Sequence, residues 1–347
     1  MTETDRKLFT IDQIPESDDL RNIIYSMIAI PHLSPVNIFS EFASSAIEAT
    51  QVGKEDLSGA GIFRVDEDGN YFSQTIYADY RRLAVDPFVA AQIIVAKAVR
   101  RLVCYGAEPV SMSAFLNNVE FASPIAEEMV MAARLGLNAA ATAFNLQFPN
   151  WKIFYDYSNS DYSVPPTLIV SLVAKLNNHD QILTPMLKRK GHIIMLIGRS
   201  FNDINASEYL DHFHEVKDWP LMHFNLAFES KLMVAMKDLI RKDLVVSASP
   251  VGIGGLFFTL LRNALPNELG FDITTDAEIR TDAFLFGEGM GRIVVTVDEE
   301  KENEFVDFLY DQKIPVMTLG HITKGEIRID DNSLGFVDKG IVGEFLD

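Results

Sequence analysis

A single cysteine, Cys104, occurs in 347 residues. That excludes an intramolecular disulfide and any zinc cluster built on cysteine. Positive charge is also scarce: 30 Lys and Arg stand against 49 Asp and Glu, giving a formal charge of −19 and a pI near 4.7. Nonspecific nucleic-acid binding and docking on anionic membranes both require a basic face, so neither fits. No apolar run approaches the roughly 18 residues of a membrane span. The opening MTETDRKLFTIDQIPESDDL lacks the basic-then-apolar profile of a secretory signal and implies a cytoplasmic protein. G-x-S-x-G elbow, Walker loop and Rossmann fingerprint are missing, and there is no repeat of solenoid period. Seven histidines are scattered. His212 and His214 are two apart, which suits no shared helix face, and they read as solvated or capping groups.

What is present is ordinary globular material, 48% hydrophobic and 23% charged, in a length that implies about two domains. Strand and helix patterns alternate, which places the chain in an α+β or α/β class. Residues 1–20 form a polar lead-in, 21–180 a first domain and 181–347 a second, joined by the polar stretch 177–191. Two amphipathic helical patterns occupy 21–50. Strands are expected at 61–65 and 71–77 around the turn 66–70, at 110–118, and at 167–176, with a long helix over 124–145. The second domain is expected to hold strands at 192–198, 244–249 and 291–297, and helices near 206–216, 225–241, 255–264 and 300–312. A hairpin of 316–322 with 325–330 closes the chain.

The most informative segment is DPFVAAQIIVAKAVRRLVCYGAEP, residues 86–109. Asp86 is placed to cap a helix beginning at Pro87, and Gly106 is a natural stop. Ala91, Val95, Ala98 and Leu102 form one apolar stripe, while Lys97, Arg100 and Arg101 share another side. Concentrated cations in an acidic chain need a reason. Cys104 at the end of this helix reads as a packed thiol rather than a nucleophile. A second candidate is the glycine turn SASPVGIGGLFFTLL. Gly252, Gly254 and Gly255 lie between a strand and a helix start, where backbone N–H groups cradle an anion or simply form a tight turn with positive φ.

Segment 86–109 resembles a helix of the phosphoribosylformylglycinamidine synthase family that reads D-P-Y…A-V-A-E-A-x-R-N-L…G-A-E-P. The likeness continues in register. Leu116-Asn117 followed by Phe121-Ala122-Ser123-Pro124 resembles L-N-F-G-N-P, and Pro166-Thr167 resembles P-T-P. Ala206 to Leu210 resembles G-S-E-Y-L, and Gly254-Gly255-Leu256 resembles the end of H-D-x-S-x-G-G-L. Leu285 to Glu288 with Gly291-Arg292 resembles L-F-S-E…G-R. IIYSMIAIPHLSP, residues 23–35, resembles the opening of the second half of the synthase. The resemblance implies a two-domain aminoimidazole ribonucleotide synthetase-like fold, with an N-terminal sheet that pairs across a dimer and a C-terminal α/β sandwich. It implies an ATP-dependent amide-to-amidine ligase of purine biosynthesis, with ATP and magnesium as cofactors. The implied partners are a second copy or a His-containing synthase half, and a glutamine amidotransferase that supplies ammonia. No counterpart of the first half's His-rich catalytic loop is present, and no catalytic residue is assigned.

The departures bear on chemistry. At the family's metal-side Glu and Asn this chain has Lys97 and Arg101, and Pro250 stands where the family has Asp; Asp86 persists. Lys97 and Arg101 therefore repel a divalent cation. They either hold a phosphate or carboxylate as fixed cations or form surface ion pairs. The family's glycine-bearing turn is replaced by Tyr155-Asp156-Tyr157-Ser158-Asn159-Ser160, whose bulk obstructs close approach to phosphate. Glu288 and Arg292 match the family's Glu and Arg and read as a structural ion pair. The nucleotide- or anion-binding candidates are thus Asp86, Lys97, Arg101, Gly252, Gly254 and Gly255, with no metal ligand. The competing reading is a non-catalytic paralogue that binds a nucleotide or anion, or acts as a scaffold.

Overall fold

The computed structural model describes residues 11–33, 60–64, 71–157, 164–176, 182–217 and 219–337. The expected turn at 66–70, the second helical pattern of 21–50 and Ser158 to Ser160 lie outside these residues. The first of the two helical patterns is helix α1, Leu20–Ile28, capped by the Asp19 carboxylate, which accepts from Asn22 N at 3.0 Å.

A first sheet contains β1 (Ala60–Arg64), β2 (Tyr71–Asp79), β3 (Glu108–Glu120), β4 (Gln147–Asp156) and β5 (Thr167–Leu176), in the order β1-β2-β5-β3-β4. Only β3 and β4 run parallel, and helix α4, Pro124–Ala143, makes their crossover. Along β5 alternate residues Leu168, Val170, Leu172, Ala174 and Leu176 are buried, while the residues between them are partly open. That is the signature of a sheet covered on one face. Between β2 and β3 the chain forms α2 (Arg81–Val85) and α3 (Pro87–Cys104).

Both ends of α3 are set by local chemistry. Asp86 Oδ1 accepts from Phe88 N and Val89 N, both at 3.0 Å. At the other end Gly106 takes φ +82°. Its N–H reaches Val103 O and that of Ala107 reaches Leu102 O, a Schellman closure. Between them the helix is buried on nearly every side, Arg100 included. It packs on the first sheet and also against α5 (Leu226–Arg241) and β7 (Ser247–Pro250), so it is the element shared by both halves.

The second sheet has seven strands: β6 (Ile193–Ile197), β7, β8 (Gly270–Ile273), β9 (Ile293–Val297), β10 (Val316–Thr323), β11 (Glu326–Ile329) and β12 (Asn332–Phe336). Its order is β12-β11-β8-β10-β6-β9-β7. The unbroken apolar run of β6 and the nearly unbroken one of β9, interrupted by Thr296, are explained by burial on both faces. Met195 and Ile197 join the core beneath α5 and α8 (Glu302–Asp311). Ile194 and Leu196 join a second core, rich in phenylalanine, with α6 (Gly255–Ala264) and α7 (Thr281–Phe286).

Three expectations are corrected. The segments 316–322 and 325–330 do not pair as a hairpin: β8 lies between them, antiparallel to β10 and parallel to β11. Gly270 permits this, because a Cβ there would sit 2.1 Å from Glu326 O, where the chain turns around the strand end. The helix near 206–216 is only one π-helical turn, Tyr209–Phe213. Strand β8 and helix α7 were not expected at all; each is too short to carry a periodicity.

Candidate functional site

Glu288, 4% exposed, organises the junction of the two halves. Its Oε1 accepts from Glu208 N at 2.9 Å and from Gly254 N at 3.0 Å, and its Oε2 lies 3.8 Å from Arg82 Nη2. Arg82 in turn donates to Asp79 Oδ2 at 2.7 Å and to Ala206 O at 2.8 Å. One carboxylate therefore ties α2, the segment following Ala206 and the glycine turn together. The expected ion pair with Arg292 does not form. Arg292 donates to the carbonyls of Phe284 and Gly287 and to Ser200 Oγ, while Glu288 turns to Arg82.

Beside Glu288 stands Lys97 of α3. Burial, reinforced by the charge of Arg82, lowers its ammonium to a pKa of about 7, against the pull of Glu288 and Asp79; Arg100 adds to the lowering. It has no hydrogen bond or ion pair among the described residues. One turn further on, Arg101 lies over the ring of Tyr77 at 5.0 Å. Arg262 of α6 completes the wall. Burial and the neighbouring charge of Arg101 lower it to about 10, and its Nη2 donates to Ile253 O at 2.7 Å. Behind them Arg100 pairs with Glu229 of α5 at 3.5 Å, both out of water; burial raises the Glu229 carboxyl despite that cation. Cations outnumber carboxylates throughout this junction, although the chain as a whole is strongly acidic.

The candidate residues are thus only partly assembled. Lys97, Arg101 and the turn of Gly252, Gly254 and Gly255 converge around Glu288. Asp86 does not join them: eleven residues of helix, about 16 Å of axis, separate it from Lys97. Its Oδ1 serves as the helix cap. The N–H groups of the glycines are engaged within the chain, Gly252 with Thr259 Oγ1, Gly254 with Glu288 and Gly255 with Gly252 O. Any anion here therefore meets side-chain cations rather than those three amides. Arg262 went unread in the sequence, though it is the only charged residue of α6. Cys104 is buried, with its thiol raised to about 12 by desolvation, consistent with a packed role. His214 packs edge-on against Tyr209 at 4.7 Å.

At the rim, Glu208 lies 3.4 Å from His32 Nε2 and 3.8 Å from Arg81 Nη1, and Arg81 binds Asp211 at 2.5 Å. The Glu208 hydrogen bond raises His32 and lowers Glu208. Among the described residues, no three His, Cys, Asp or Glu side chains converge to hold a metal ion, and no helix is long and apolar enough to cross a membrane. Lys97, Arg101 and Arg262 are cations and offer magnesium no oxygen ligand.

Lys97 gives the junction a pH signature. Its folded pKa lies below the unfolded value, so the unfolded chain binds the extra proton between about pH 7 and 10.5. The penalty is fully present below about pH 7 and is relieved as pH rises through that window. Lys97→Met should abolish this component of the stability–pH profile in denaturant titrations; an unchanged profile would show that Lys97 is not desolvated.

A helix shared between a one-sided sheet and a two-sided sheet, closed by a glycine turn, defines the class. Residues 189–331 match the family described as AIR synthase related protein, C-terminal domain. Across nearly its whole length the chain is similar to phosphoribosylformylglycinamidine synthase subunit PurL. It is 27% identical over 337 residues to that of Alkaliphilus metalliredigens, covering 96% of this chain and 45% of the relative. With PurL of Caldanaerobacter subterraneus the identity is 24% over the same shares. The chain thus spans less than half the length of these relatives. In fold it resembles T. maritima PurL complexed with FGAR, at a TM-score of 0.73 and 14% identity, covering 94% of this chain and 54% of that one. It also resembles a chain of a HypE–HypF complex, at a TM-score of 0.62 and 14% identity, covering 85% of this chain and 98% of that one.

Proposed function

We propose that this chain is a partial, diverged subunit of a purine-biosynthetic synthase of the PurL type. The observation that carries the reading is likeness to PurL over 96% of the chain, at less than half the relatives' length. In the proposed system ATP activates the amide oxygen of formylglycinamide ribonucleotide, and ammonia released from glutamine by an amidotransferase displaces the phosphate. A solved T. maritima PurL carries ATP at a TM-score of 0.66, which supports a nucleotide site in this fold. In this chain the residues placed to meet a nucleotide's phosphates are Lys97, Arg101 and Arg262. The division into domains at 21–180 and 181–347 belongs to this reading.

The second copy or His-containing half pairs through the open face of the first sheet. Ile76 and Phe154 are exposed there, beside the partly open Ile169 and Val173. A lone sheet face of this kind needs cover. Sedimentation should show a dimer, or a complex with a partner recovered from lysate. A monomer at all concentrations with no partner would overturn the pairing.

The isolated chain should show no detectable amidine formation from ATP, ammonia and the formylglycinamide substrate, because phosphoryl transfer depends on a positioned metal that Lys97, Arg101 and Pro250 cannot ligate. Phosphate release measures this. Turnover appearing when a His-containing half is added supports the subunit reading. Steady turnover by the chain alone would overturn its divergence.

A further inference from the structure

Two contacts of different kinds fasten the chain after α1 to the junction. Leu33 is fully buried and packs into the glycine turn, where a Cβ at Gly254 would stand 2.8 Å from Leu33 Cδ2. One residue earlier, the half-exposed His32 lies with its Nε2 3.4 Å from Glu208 Oε1. Ile30 N donates to Met27 O at 3.1 Å and Leu33 N to Ile30 O at 2.9 Å, so residues 29–33 form a short turn outside the helical ladder. The body of α1 is held by buried Ile23, Ile24, Met27 and Ile28 and needs no polar fastening. Glu208 is itself tied to the place that Leu33 covers. Its N–H donates to Glu288 Oε1, the same oxygen that accepts from Gly254 N. The other cation beside its carboxylate, Arg81, stands further off at 3.8 Å and is hydrogen-bonded to Asp211.

We infer that His32 and Glu208 form a proton-operated latch that closes the turn of residues 29–33 over the glycine turn. The imidazolium holds the carboxylate by charge and hydrogen bond together, and the neutral ring keeps only the weaker neutral contact. The charges facing His32 are Glu208, Glu288 and Arg81, and those facing Glu208 include Arg81 and Arg82. The hydrogen bond to Glu208 raises His32 above its ordinary value of 6.5, against burial and Arg81. The same bond lowers Glu208, which therefore stays ionised while His32 titrates. A raised folded value means that the latch contributes fully below 6.5 and is lost as pH rises through the folded value. Loosening of the turn lifts Leu33 from Gly254 and opens the approach to Glu288, whatever the junction binds.

The test is amide hydrogen exchange on the full chain from about pH 5.5 to about pH 8.5, corrected for the intrinsic rate at each pH. Protection of the peptide spanning Met27 to Leu33 should fall about threefold across that range, while strand β6, deep in the core, shows no such step. In His32→Gln protection of the turn should stay at the lower level throughout. In His32→Lys, which keeps a cation beside Glu208 at every pH of the range, it should stay at the higher level. Proton NMR titration supplies an independent readout, with the His32 resonance identified by its loss in His32→Gln. Glu208→Gln should lower the His32 midpoint. His32 is half-exposed, so its two variants keep the core, and β6 protection checks the fold of all three. Uniform protection in the parent, the same fall in His32→Gln, or an unmoved His32 midpoint in folded Glu208→Gln would overturn the latch.

Discussion

Replacing Arg100 with leucine is expected to destabilise the chain by about 3–5 kcal/mol, the range for stranding one member of a buried ion pair. Arg100 is 1% exposed, as is Glu229, and the two bridge α3 and α5 at 3.5 Å. Arg100 also donates to Met290 Sδ at 3.0 Å and to Arg292 O at 3.4 Å. Without the guanidinium, Glu229 must either ionise in an apolar surrounding or take up a proton. Its carboxyl is already raised by burial, and the loss of Arg100 removes the charge that lowers it. The folded pKa of Glu229 in Arg100→Leu then lies well above its unfolded value. The contribution of that carboxyl is most favourable below the unfolded value and is lost as pH rises through the folded one. The variant's deficit should accordingly grow from acid toward neutral pH in urea titrations. The double change Arg100→Leu with Glu229→Leu should recover much of the loss, because no uncompensated charge remains. A single variant as stable as the parent would show that the pair carries no cost when broken.

Gly255→Ala should cost about 3 kcal/mol or more, while Gly252→Ala should be tolerated within about 0.5 kcal/mol. The two glycines are three apart in the same turn but face different surroundings. Gly255 has φ +76°, and a Cβ there would stand 2.5 Å from Leu285 O and 2.6 Å from the Phe286 carbonyl carbon. Both are backbone atoms of α7 and cannot swing away. Gly252 has no positive φ, and its nearest atom would be Pro250 O at 3.9 Å. Thermal unfolding of the two variants distinguishes a turn that packs the chain from one that receives a ligand. Equal tolerance at both positions would remove the packing explanation, and loss of phosphate binding in Gly252→Ala would return the turn to the binding site.

These two cases mark how far the amino-acid order speaks. Asp86, Pro87 and Gly106 placed the ends of α3 correctly because capping is decided within a few residues. The apolar stripe of that helix was visible, yet its burial on nearly all sides was not. Burial depends on α5 and β7, which lie more than a hundred residues away. Charge alternation likewise gave no sign that Arg100 sits in the core, since Glu229 is remote in sequence. The hairpin at the C-terminus failed for a related reason. Local turn chemistry between Thr323 and Glu326 is compatible with a hairpin, and only the insertion of β8 beside Gly270 forbids it.

The sequence by itself determined the class of fold, the caps of α3, the turn before α6, the family likeness and the cations Lys97 and Arg101 one turn apart on α3. Those are matters of residue type and short spacing. Tertiary structure decided that Asp86 stands apart from Lys97, that the turn's glycine amides are already engaged, and that Arg262 joins the cationic wall. It also decided which face of the first sheet stays open. Each of these is a sum over elements distant in the chain, because desolvation and charge act through space and a strand's neighbours are chosen by the whole sheet.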